Sequence, residues 1–426
     1  MQKDNNTGRK QNQPVGAASH NPAATWPGNT FASLRHRNFR LFWTGQMVSL
    51  VGTWMQAVAQ GWLVLTLTNS AFLLGLVSAI GSMPILFLAL PGGVAADRFD
   101  KRRLLMATQA TAMVLALALA ALTYFEIARI WHVVALAAIS GSVFAFDAPS
   151  RQAFTVELVG KADLMNAIAL NSAVFNAARI LGPALAGVLI GFIGMAGCFF
   201  SNGVSFLAVI LGLWMIRRER LPPPPRGSAW HEMRAGISYA WNQPVIRSLV
   251  MIIAVFSIFG MPYAILMPIF ARDILGAGAR GLGFLMTANG VGALTGALGL
   301  AAFSQTRSRG RLVMTAGVVF SLSLSAFALS RSFALSLMLL PLVGWSMVSQ
   351  TATINTLLQT TVPDELRGRV MSLFTFVFMG MMPFGSLLAG AAAQRFGAPA
   401  ALTAGAAVCL SATGLIFWRR RELLKL

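Results

Sequence analysis

The sequence has little charge. Only 11% of its 426 residues are Asp, Glu, Lys or Arg, while 56% are hydrophobic; a soluble domain usually carries about 25% charged residues. This composition excludes an ordinary soluble domain and predicts a polytopic membrane protein. At about 20 apolar residues per span plus loops, the chain has room for about twelve helices. Strand-like alternation is absent, which favours an all-α membrane protein.

Cysteine and histidine are also scarce. The two cysteines, Cys198 and Cys409, both lie in apolar runs, which excludes a disulfide framework or a cysteine metal site. The four histidines are scattered without metal-ligand spacing, and there is no Gly-x-x-x-x-Gly-Lys-Ser/Thr phosphate loop. We therefore expect no enzyme activity, no bound metal or cofactor, and no use of ATP by this chain alone.

Acidic residues are far fewer than basic ones, 13 against 33, which gives a net charge of +20. The basic residues lie at the ends of apolar runs rather than on one soluble domain, so the predicted partner is the lipid bilayer and not nucleic acid. Basic residues mark cytoplasmic loops, and this rule predicts that both termini are cytoplasmic. Residues 1–30 are polar and are predicted to be a disordered cytoplasmic tail.

Apolar runs predict twelve transmembrane helices in two pseudo-symmetric bundles of six. The first bundle covers residues 31–216, the second covers 245–426, and an Arg- and Pro-rich linker at 217–244 joins them. The predicted spans lie at 39–65, 72–96, 104–125, 131–150, 164–191, 196–216, 245–271, 281–303, 311–329, 332–356, 369–393 and 399–418. A weak internal repeat supports this division, because residues 159–170 align with 362–373 at an offset of 203 residues. Parallel six-span repeats with a site between them are typical of transporters.

A short charged segment separates the second and third runs. It contains Gly93, Asp97, Arg98, Lys101 and Arg102, and it is predicted to be a cytoplasmic gating loop. The Asp97 carboxylate can pair with Arg98, with Lys101 or with the positive end of a neighbouring helix. Such a contact would form when the cytoplasmic side closes and break when it opens. The alternative is that these charges only set the topology.

The pattern Gly-x-x-x-Asp-Arg followed by basic residues resembles the loop between helices 2 and 3 of major facilitator superfamily transporters. In that family the loop is a conformational latch, and the resemblance implies the major facilitator fold. One position departs, because Asp100 stands where the family usually has Gly. The corresponding second-half segment, residues 304–311, keeps the bases but lacks the acid, so any latch is expected to be asymmetric.

The fifth predicted span contains Gly182, Pro183 and Gly187. This spacing can bend a helix and permit close approach of a neighbour. It resembles the Gly-Pro-x-x-x-Gly part of the fifth-helix signature of antiporters in the superfamily, although Ala178 stands where the fuller signature has Gly. The alternative is ordinary helix packing.

Two charged residues are predicted at membrane depth. Arg179 lies about 18 Å from the outer end of its helix, near the midplane, where a charge is costly. It should therefore face the interior and either pair with an acid or meet the substrate, for example an anionic one. By elimination, Asp147 is the one carboxylate expected at that depth. It can pair with Arg151 or with Arg179, and it is the leading candidate for a proton-linked carboxylate; the alternative is a local ion pair with Arg151 that ends the fourth helix.

Other polar residues within the spans are candidates for the substrate or proton path. Gln56 and Gln60 share one face of the first span, which suits a pore lining. For each of these residues an interhelical hydrogen bond is the alternative role. The remaining candidates are Asn176, Asn289, Gln350 and Asn355.

Further stretches resemble the enterobactin-exporter-like branch of the superfamily, which includes siderophore exporters and drug-efflux relatives. They are residues 33–46, Asp147-Ala-Pro-Ser-Arg-Gln152, residues 166–171 and residues 178–183. The resemblance implies a secondary active exporter of the bacterial inner membrane, acting as a monomer by proton antiport with alternating access. Open alternatives are an uncoupled facilitator, a nutrient importer or a lysophospholipid translocator, and, from another class, a membrane scaffold or sensor.

Overall fold

A computed structural model describes residues 31–160, 162–216, 239, 241–302 and 308–425. Within these ranges the chain is helical and contains no strand. Eleven helices are long and apolar enough to span a membrane. One of them, Leu164–Met215, has 52 residues and breaks at Gly194, where φ is 70° and ψ is −178°. Only glycine adopts this conformation readily, so the segment is two spans and the predicted total of twelve is confirmed.

The first half contains six spans after a short 3-10 turn at Ala32–Arg35. They are α1 Arg37–Thr68, α2 Ala71–Arg98, α3 Lys101–Tyr124, α4 Ile130–Val159, α5 at residues 164–193 and α6 at residues 195–215. Side-chain caps begin two of these helices: Ser70 accepts from Leu73 N, and Asp100 accepts from Arg103 N.

The second half repeats this arrangement. Its spans are α7 Pro244–Ile274, α8 Gly278–Ala302, α9 Arg309–Leu329, α10 Phe333–Thr361, α11 Leu366–Phe396 and α12 Ala398–Arg419. The predicted tail and most of the predicted linker, residues 217–238, lie outside the described residues. The predicted boundaries between tail, bundles and linker therefore stay predictions.

The fourth helix is longer than predicted. The apolar run ends near residue 150, but α4 continues through Pro149 to Val159. The reason is tertiary packing, because Phe154 and Val159 are 4% and 5% exposed and each joins an apolar cluster. The ion pair between Asp147 and Arg151 therefore lies inside the helix and does not end it.

Two close helix contacts join the halves. α2 packs on α11, where a Cβ added to Gly75 would lie 2.4 Å from Ser386 O and 2.9 Å from Gly390 Cα. α5 packs on α8, where a Cβ on Gly187 would lie 2.9 Å from Gly283 Cα. Each contact pairs the second helix of one half with the fifth helix of the other, which is the pseudo-twofold arrangement that the repeat predicts.

The apolar cores show where the halves meet. We name the end that carries the α2–α3 loop the basic end, and the end that carries the α1–α2 turn the opposite end. The largest apolar cluster mixes residues of both halves, such as Leu63 and Phe270, and lies towards the opposite end. The three other clusters lie towards the basic end, and each contains residues of one half only. The halves are therefore packed together at the opposite end and have separate cores at the basic end.

Candidate functional site

A cavity of about 610 Å³ lies between the two halves. Its walls come from α1, α2 and α5 of the first half and from α7, α8, α10 and α11 of the second. Small-molecule sites usually measure about 300–1,000 Å³. Most lining side chains are apolar, and several are methionines, whose flexible thioethers adapt to different ligand shapes. These methionines are Met261, Met267, Met286, Met347 and Met382.

Arg179 is the one charged side chain among the residues that line this cavity. Its Nη2 donates to Asn289 Oδ1 at 3.1 Å and approaches Met347 Sδ at 3.7 Å. The structure thus places Arg179 in the interior, as its depth predicts. Its partner is a neutral amide of the second half rather than an acid.

Asn289 and Tyr263 surround the Arg179 head group. Asn289 is 7% exposed, and its Nδ2 donates to Leu340 O at 3.4 Å, so its Oδ1 is turned towards Arg179. Tyr263 is 2% exposed, donates to Met347 Sδ at 3.7 Å and lies close enough to Arg179 and Asn289 to interact with both. These side chains come from α7, α8 and α10, so the second half forms a polar cradle for one arginine of the first.

Tyr263 was not singled out from the sequence. It is one of only three tyrosines in the chain, and a lone phenol in an apolar span is the signal that could have found it. α7 holds it between two π-helical segments, Phe256–Gly260 and Phe270–Ile274. Such segments are rare and frequently lie at functional sites.

Asp147 lies away from the cavity. It is 3% exposed and accepts hydrogen bonds from Thr108 Oγ1 at 2.8 Å and from Gln109 Nε2 at 2.7 Å. Arg151 Nε donates to it at 3.1 Å. Of the two predicted partners the structure selects Arg151, because the i and i+4 positions of α4 face each other, whereas Arg179 is turned towards the second half.

The Asp147 network extends to α1, because Arg151 Nη1 donates to Gln46 Oε1. Within the described chain, Gln109 Oε1 and Gln46 Nε2 are buried and have no hydrogen-bond partner. α1, α3 and α4 therefore meet around one ion pair whose polar neighbours have spare hydrogen-bonding capacity.

The two glutamines of α1 have different surroundings. Gln60 lines the cavity. Gln56 accepts from Asn202 Nδ2 at 2.6 Å and so joins α1 to α6. The pore-lining interpretation thus fits Gln60, and the interhelical alternative fits Gln56.

Asn176, Gln350 and Asn355 do not line the cavity. Asn176 Nδ2 donates to Ser172 O at 2.8 Å within α5. Asn355 accepts from Gln359 Nε2 at 2.6 Å within α10. Gln350 of α10 is 1% exposed and faces α7, α9 and α12 of the second half. Among the polar candidates, the structure brings only Gln60, Arg179 and Asn289 together at one cavity.

Among the described residues, the acid of the gating loop has no ion-pair partner. α2 stays helical to Arg98, so the segment from Gly93 to Arg98 is the last part of a helix and not a turn. Adjacent residues of a helix do not face each other, and for this reason Asp97 does not pair with Arg98. Both are exposed, and neither forms an ion pair with another residue of the described chain.

The bases of the gating loop bind within the first half. Lys101 Nζ forms an ion pair with Glu157 Oε1 at 2.6 Å, a partner on α4 that the sequence did not indicate. Arg102 Nε and Nη2 donate to Leu213 O at 2.6 Å and to Trp214 O at 2.8 Å. Arg102 thereby caps the negative end of α6, and the predicted partner Lys101 is unavailable to Asp97.

The glycines of the antiporter-type motif face two different helices. A Cβ on Gly182 would lie 2.4 Å from Trp54 Cβ on α1, whereas Gly187 lies against Gly283 of the second half. Pro183 lies inside the long helix, and its carbonyl oxygen would be 2.7 Å from a Cβ on Gly283. The motif therefore packs α5 against both α1 and α8.

Polar contacts close the opposite end. Arg272 of α7 donates from Nη1 to Leu65 O at 3.1 Å, and its Nη2 donates to Asn69 Oδ1. On α11, Gln394 Oε1 accepts from Ser70 Oγ at 3.0 Å and from Phe72 N at 3.3 Å. Both second-half residues thus hold the α1–α2 turn. We name these contacts the outer clamp.

No metal site is apparent in the part of the chain that the structure describes, since no three His, Cys, Asp or Glu residues come together there. Twelve spans in two related halves, with a small-molecule-sized cavity between them, define a membrane transporter of the major facilitator fold. The family model described as "Transmembrane secretion effector" matches residues 28–423. The chain belongs to this family of major facilitator transporters, which are not enzymes.

Curated relatives cover most of the chain. It is 29% identical to the multidrug efflux pump Tap of Mycolicibacterium fortuitum over 81% of this chain and 87% of that protein. It is 24% identical to the staphyloferrin A transporter of Staphylococcus aureus, over 84% and 90%. It is 23% identical to the enterobactin exporter EntS of Salmonella choleraesuis, over 92% and 93%. These relatives confirm the resemblance to siderophore and drug exporters.

Solved structures confirm the fold. A bacterial homologue of the human lysosomal transporter Spinster, in an inward-facing and unoccupied conformation, aligns with a TM-score of 0.72. The alignment covers 92% of this chain and 98% of that one at 14% identity.

Proposed function

We propose that the protein exports a small molecule, a siderophore or a drug-like compound, across the bacterial inner membrane. The similarity to named efflux pumps and siderophore transporters supports this proposal. The observation that carries it is the cavity between the halves. This cavity is large enough for a drug-sized ligand, and one arginine lies in its wall.

The cavity favours an amphipathic anion. Arg179 has five N–H donors; Nη2 contacts Asn289 Oδ1 and Met347 Sδ, and the Tyr263 hydroxyl lies beside the head group. A guanidinium in a site of low dielectric binds a carboxylate, sulfonate or catecholate strongly. The lining contains no acidic residue to favour a cation, and its methionine and aromatic side chains suit a large apolar body.

Transport proceeds by alternating access. Basic loops face the cytoplasm, so the basic end and both termini are assigned to that side. The halves share one core at the opposite end and have separate cores at the basic end, which corresponds to a cavity that loads from the cytoplasm. One chain supplies both walls of the cavity, so a monomer suffices.

The energy source is proton antiport, and Asp147 is the candidate carboxylate. Its network serves either protonation state, because Gln109 carries a donor that binds the carboxylate and an unpartnered Oε1 that can accept from a carboxylic acid. The proton site and the substrate site are then separate, and movement of α1, α3 and α4 connects them.

The test is transport into proteoliposomes with an acidic lumen. Anionic probes, a radiolabelled triscatecholate siderophore and anilinonaphthalene sulfonate, should accumulate, and cationic ethidium should not. Arg179→Ala should abolish accumulation while the protein stays folded, and Arg179→Lys should keep part of it. Arg331→Ala, an exposed arginine outside the cavity, is the matched control. Full accumulation by the Arg179→Ala protein would refute the assigned site.

The same assay separates the alternatives. An uncoupled facilitator would equilibrate the siderophore whether or not a pH gradient is imposed. An importer would carry it out of the lumen under the same gradient. A lysophospholipid translocator would move a labelled lysophospholipid between leaflets and ignore the siderophore.

A further inference from the structure

We propose that Asn289, assisted by Tyr263, is a positioning residue that stands in for the substrate. In the empty transporter it holds Arg179, and the anionic group of the substrate displaces it. The inference rests on the proposed role of Arg179 in substrate binding.

The bond between Arg179 and Asn289 links the two halves. Arg179 belongs to α5, and its described hydrogen-bond partners belong to α8 and α10. The surrounding backbones already touch, because a Cβ on Gly290 would lie 3.0 Å from Arg179 O and Thr287 Oγ1 donates to Ile180 O at 3.3 Å. Any movement of α5 along α8 must therefore rearrange this bond.

The chemistry of the partner makes the link exchangeable. Asn289 is neutral, and a hydrogen bond between a cation and an amide is weaker than a bidentate ion pair with a carboxylate. A substrate anion can consequently replace the amide, whereas a carboxylate at position 289 would compete with the anion. Leu340 O fixes the amide, so Asn289 Oδ1 points at the place that a substrate oxygen would occupy.

Loading and movement are coupled by this exchange. While the cavity is empty, the link between Arg179 and Asn289 holds α5 to α8. When an anion takes Arg179, the link breaks and the halves can rearrange. A compound that lacks a strong acceptor group enters the cavity without releasing the link, so the pair also selects substrates.

The test compares three variants in proteoliposomes with the triscatecholate siderophore. Asn289→Asp is nearly isosteric and should pair permanently with Arg179, raising the KM at least about tenfold, which corresponds to about 1.4 kcal/mol. Asn289→Ala removes the competing amide, so its KM should be unchanged or lower. Tyr263→Phe keeps the amide and removes only the assisting hydroxyl, so its KM should change in the same direction but by less; kcat is measured separately for both variants. Gln359→Glu adds a carboxylate to an exposed position of α10 and is the matched control.

A conformational measurement completes the test. Leu67 and Phe396 are exposed at the opposite end, one on each half, so spin labels at these two positions report the distance between the halves. The native cysteines are buried and should not take up the label. Without substrate, Asn289→Ala should broaden this distance distribution and Asn289→Asp should not. A wild-type KM for Asn289→Asp, or an unchanged distance distribution for Asn289→Ala, would overturn the inference.

The Arg179→Ala protein distinguishes failure of this inference from failure of the proposed function. If Arg179→Ala also transports normally, the proposed substrate site fails too; if Arg179→Ala is inactive, only the exchange mechanism fails.

Discussion

The close contact between α5 and α8 predicts that a methyl group added at Gly187 destabilises the packing of the two halves. Gly187→Ala would place a methyl group 2.9 Å from Gly283 Cα and 3.1 Å from Arg280 O. Both are backbone atoms, and ordinary contacts begin near 3.4 Å, so α5 and α8 must separate by about half an ångström. Overpacking of this kind costs about 1–3 kcal/mol.

A control in the same helix isolates that cost. Gly191→Ala meets nothing within 4 Å, and replacing a helix glycine by alanine stabilises by about 0.5–1 kcal/mol. Gly187→Ala gains the same helix term, so the difference between the two variants is the packing term of about 1–3 kcal/mol. Because the contact lies between the halves, the penalty applies only to conformations in which they touch here. It should shift the conformational equilibrium by about 5- to 150-fold.

The assay uses the two purified variants. Thermal unfolding in detergent measures their stability, and the spin labels at Leu67 and Phe396 measure the spacing of the halves. Gly187→Ala should be the less stable variant and should show a displaced distance distribution. Equal stability and identical distributions for Gly187→Ala and Gly191→Ala would refute the reasoning that this contact limits the approach of the halves.

Three further predictions concern other sites. Arg272→Ala removes half of the outer clamp and should widen the distance between the halves at the opposite end, whereas Arg331→Ala should not; equal widening would contradict a specific clamp. Asp147→Asn removes the carboxylate but keeps hydrogen-bonding capacity, so proton-driven accumulation should stop while exchange of siderophore without a gradient continues; retained pH-driven accumulation would exclude Asp147 as the proton site. Gly194→Ala forces a side chain into a glycine-only conformation that costs about 1–3 kcal/mol, and calorimetry should show that loss of stability; an unchanged melting temperature would contradict the strained turn.

The sequence predicts the spans well because membrane burial is a local property. An apolar run of sufficient length must be helical in lipid, and the internal repeat indicates how the runs are grouped. The predicted end of the fourth span is wrong, because α4 continues after Pro149. Tertiary packing of Phe154 and Val159 stabilises this part of the helix, and local hydropathy does not indicate it. By contrast, the break at Gly194 lies in the gap between the predicted spans at 164–191 and 196–216, so the apolar runs indicate its position correctly.

The sequence predicts how deep the residues of the candidate site lie in the membrane, but it does not predict their hydrogen-bond partners. The cost of a buried charge places Arg179 in the interior from sequence alone. Its partner depends on which helix face meets which, and Asn289 lies 110 residues away. Similarly, Arg151 is visible at one helical turn from Asp147, whereas Thr108 and Gln109 lie 39 and 38 residues away and become neighbours only after α3 packs on α4.

The buried ion pair at Asp147 has no counterpart at the equivalent position of the second half, within the residues that the structure describes. The offset of 203 residues pairs Asp147 on α4 with Gln350 on α10. A second offset of 208 residues, which aligns residues 103–106 with 311–314, pairs Gln109 on α3 with Gly317 on α9. The structure places both pairs in contact: Gln109 Nε2 lies 2.7 Å from Asp147 Oδ1, and Gln350 Nε2 would lie 2.6 Å from a Cβ on Gly317.

In the first half, the carboxylate of Asp147 thus has a hydrogen-bond donor, Gln109, beside it. At the equivalent positions of the second half, the amide of Gln350 lies over Gly317. A buried carboxylate needs a cation or several donors, which the second half does not provide at Gln350, whose Oε1 has no partner in the described chain. At this pair of equivalent positions only the first half has a carboxylate, Asp147, so under the proposed antiport the proton site at this position belongs to the first half. Since Arg179 also belongs to the first half, the proposed substrate and proton sites would lie in one bundle, and the second half would contribute the neutral groups Asn289 and Tyr263 beside Arg179.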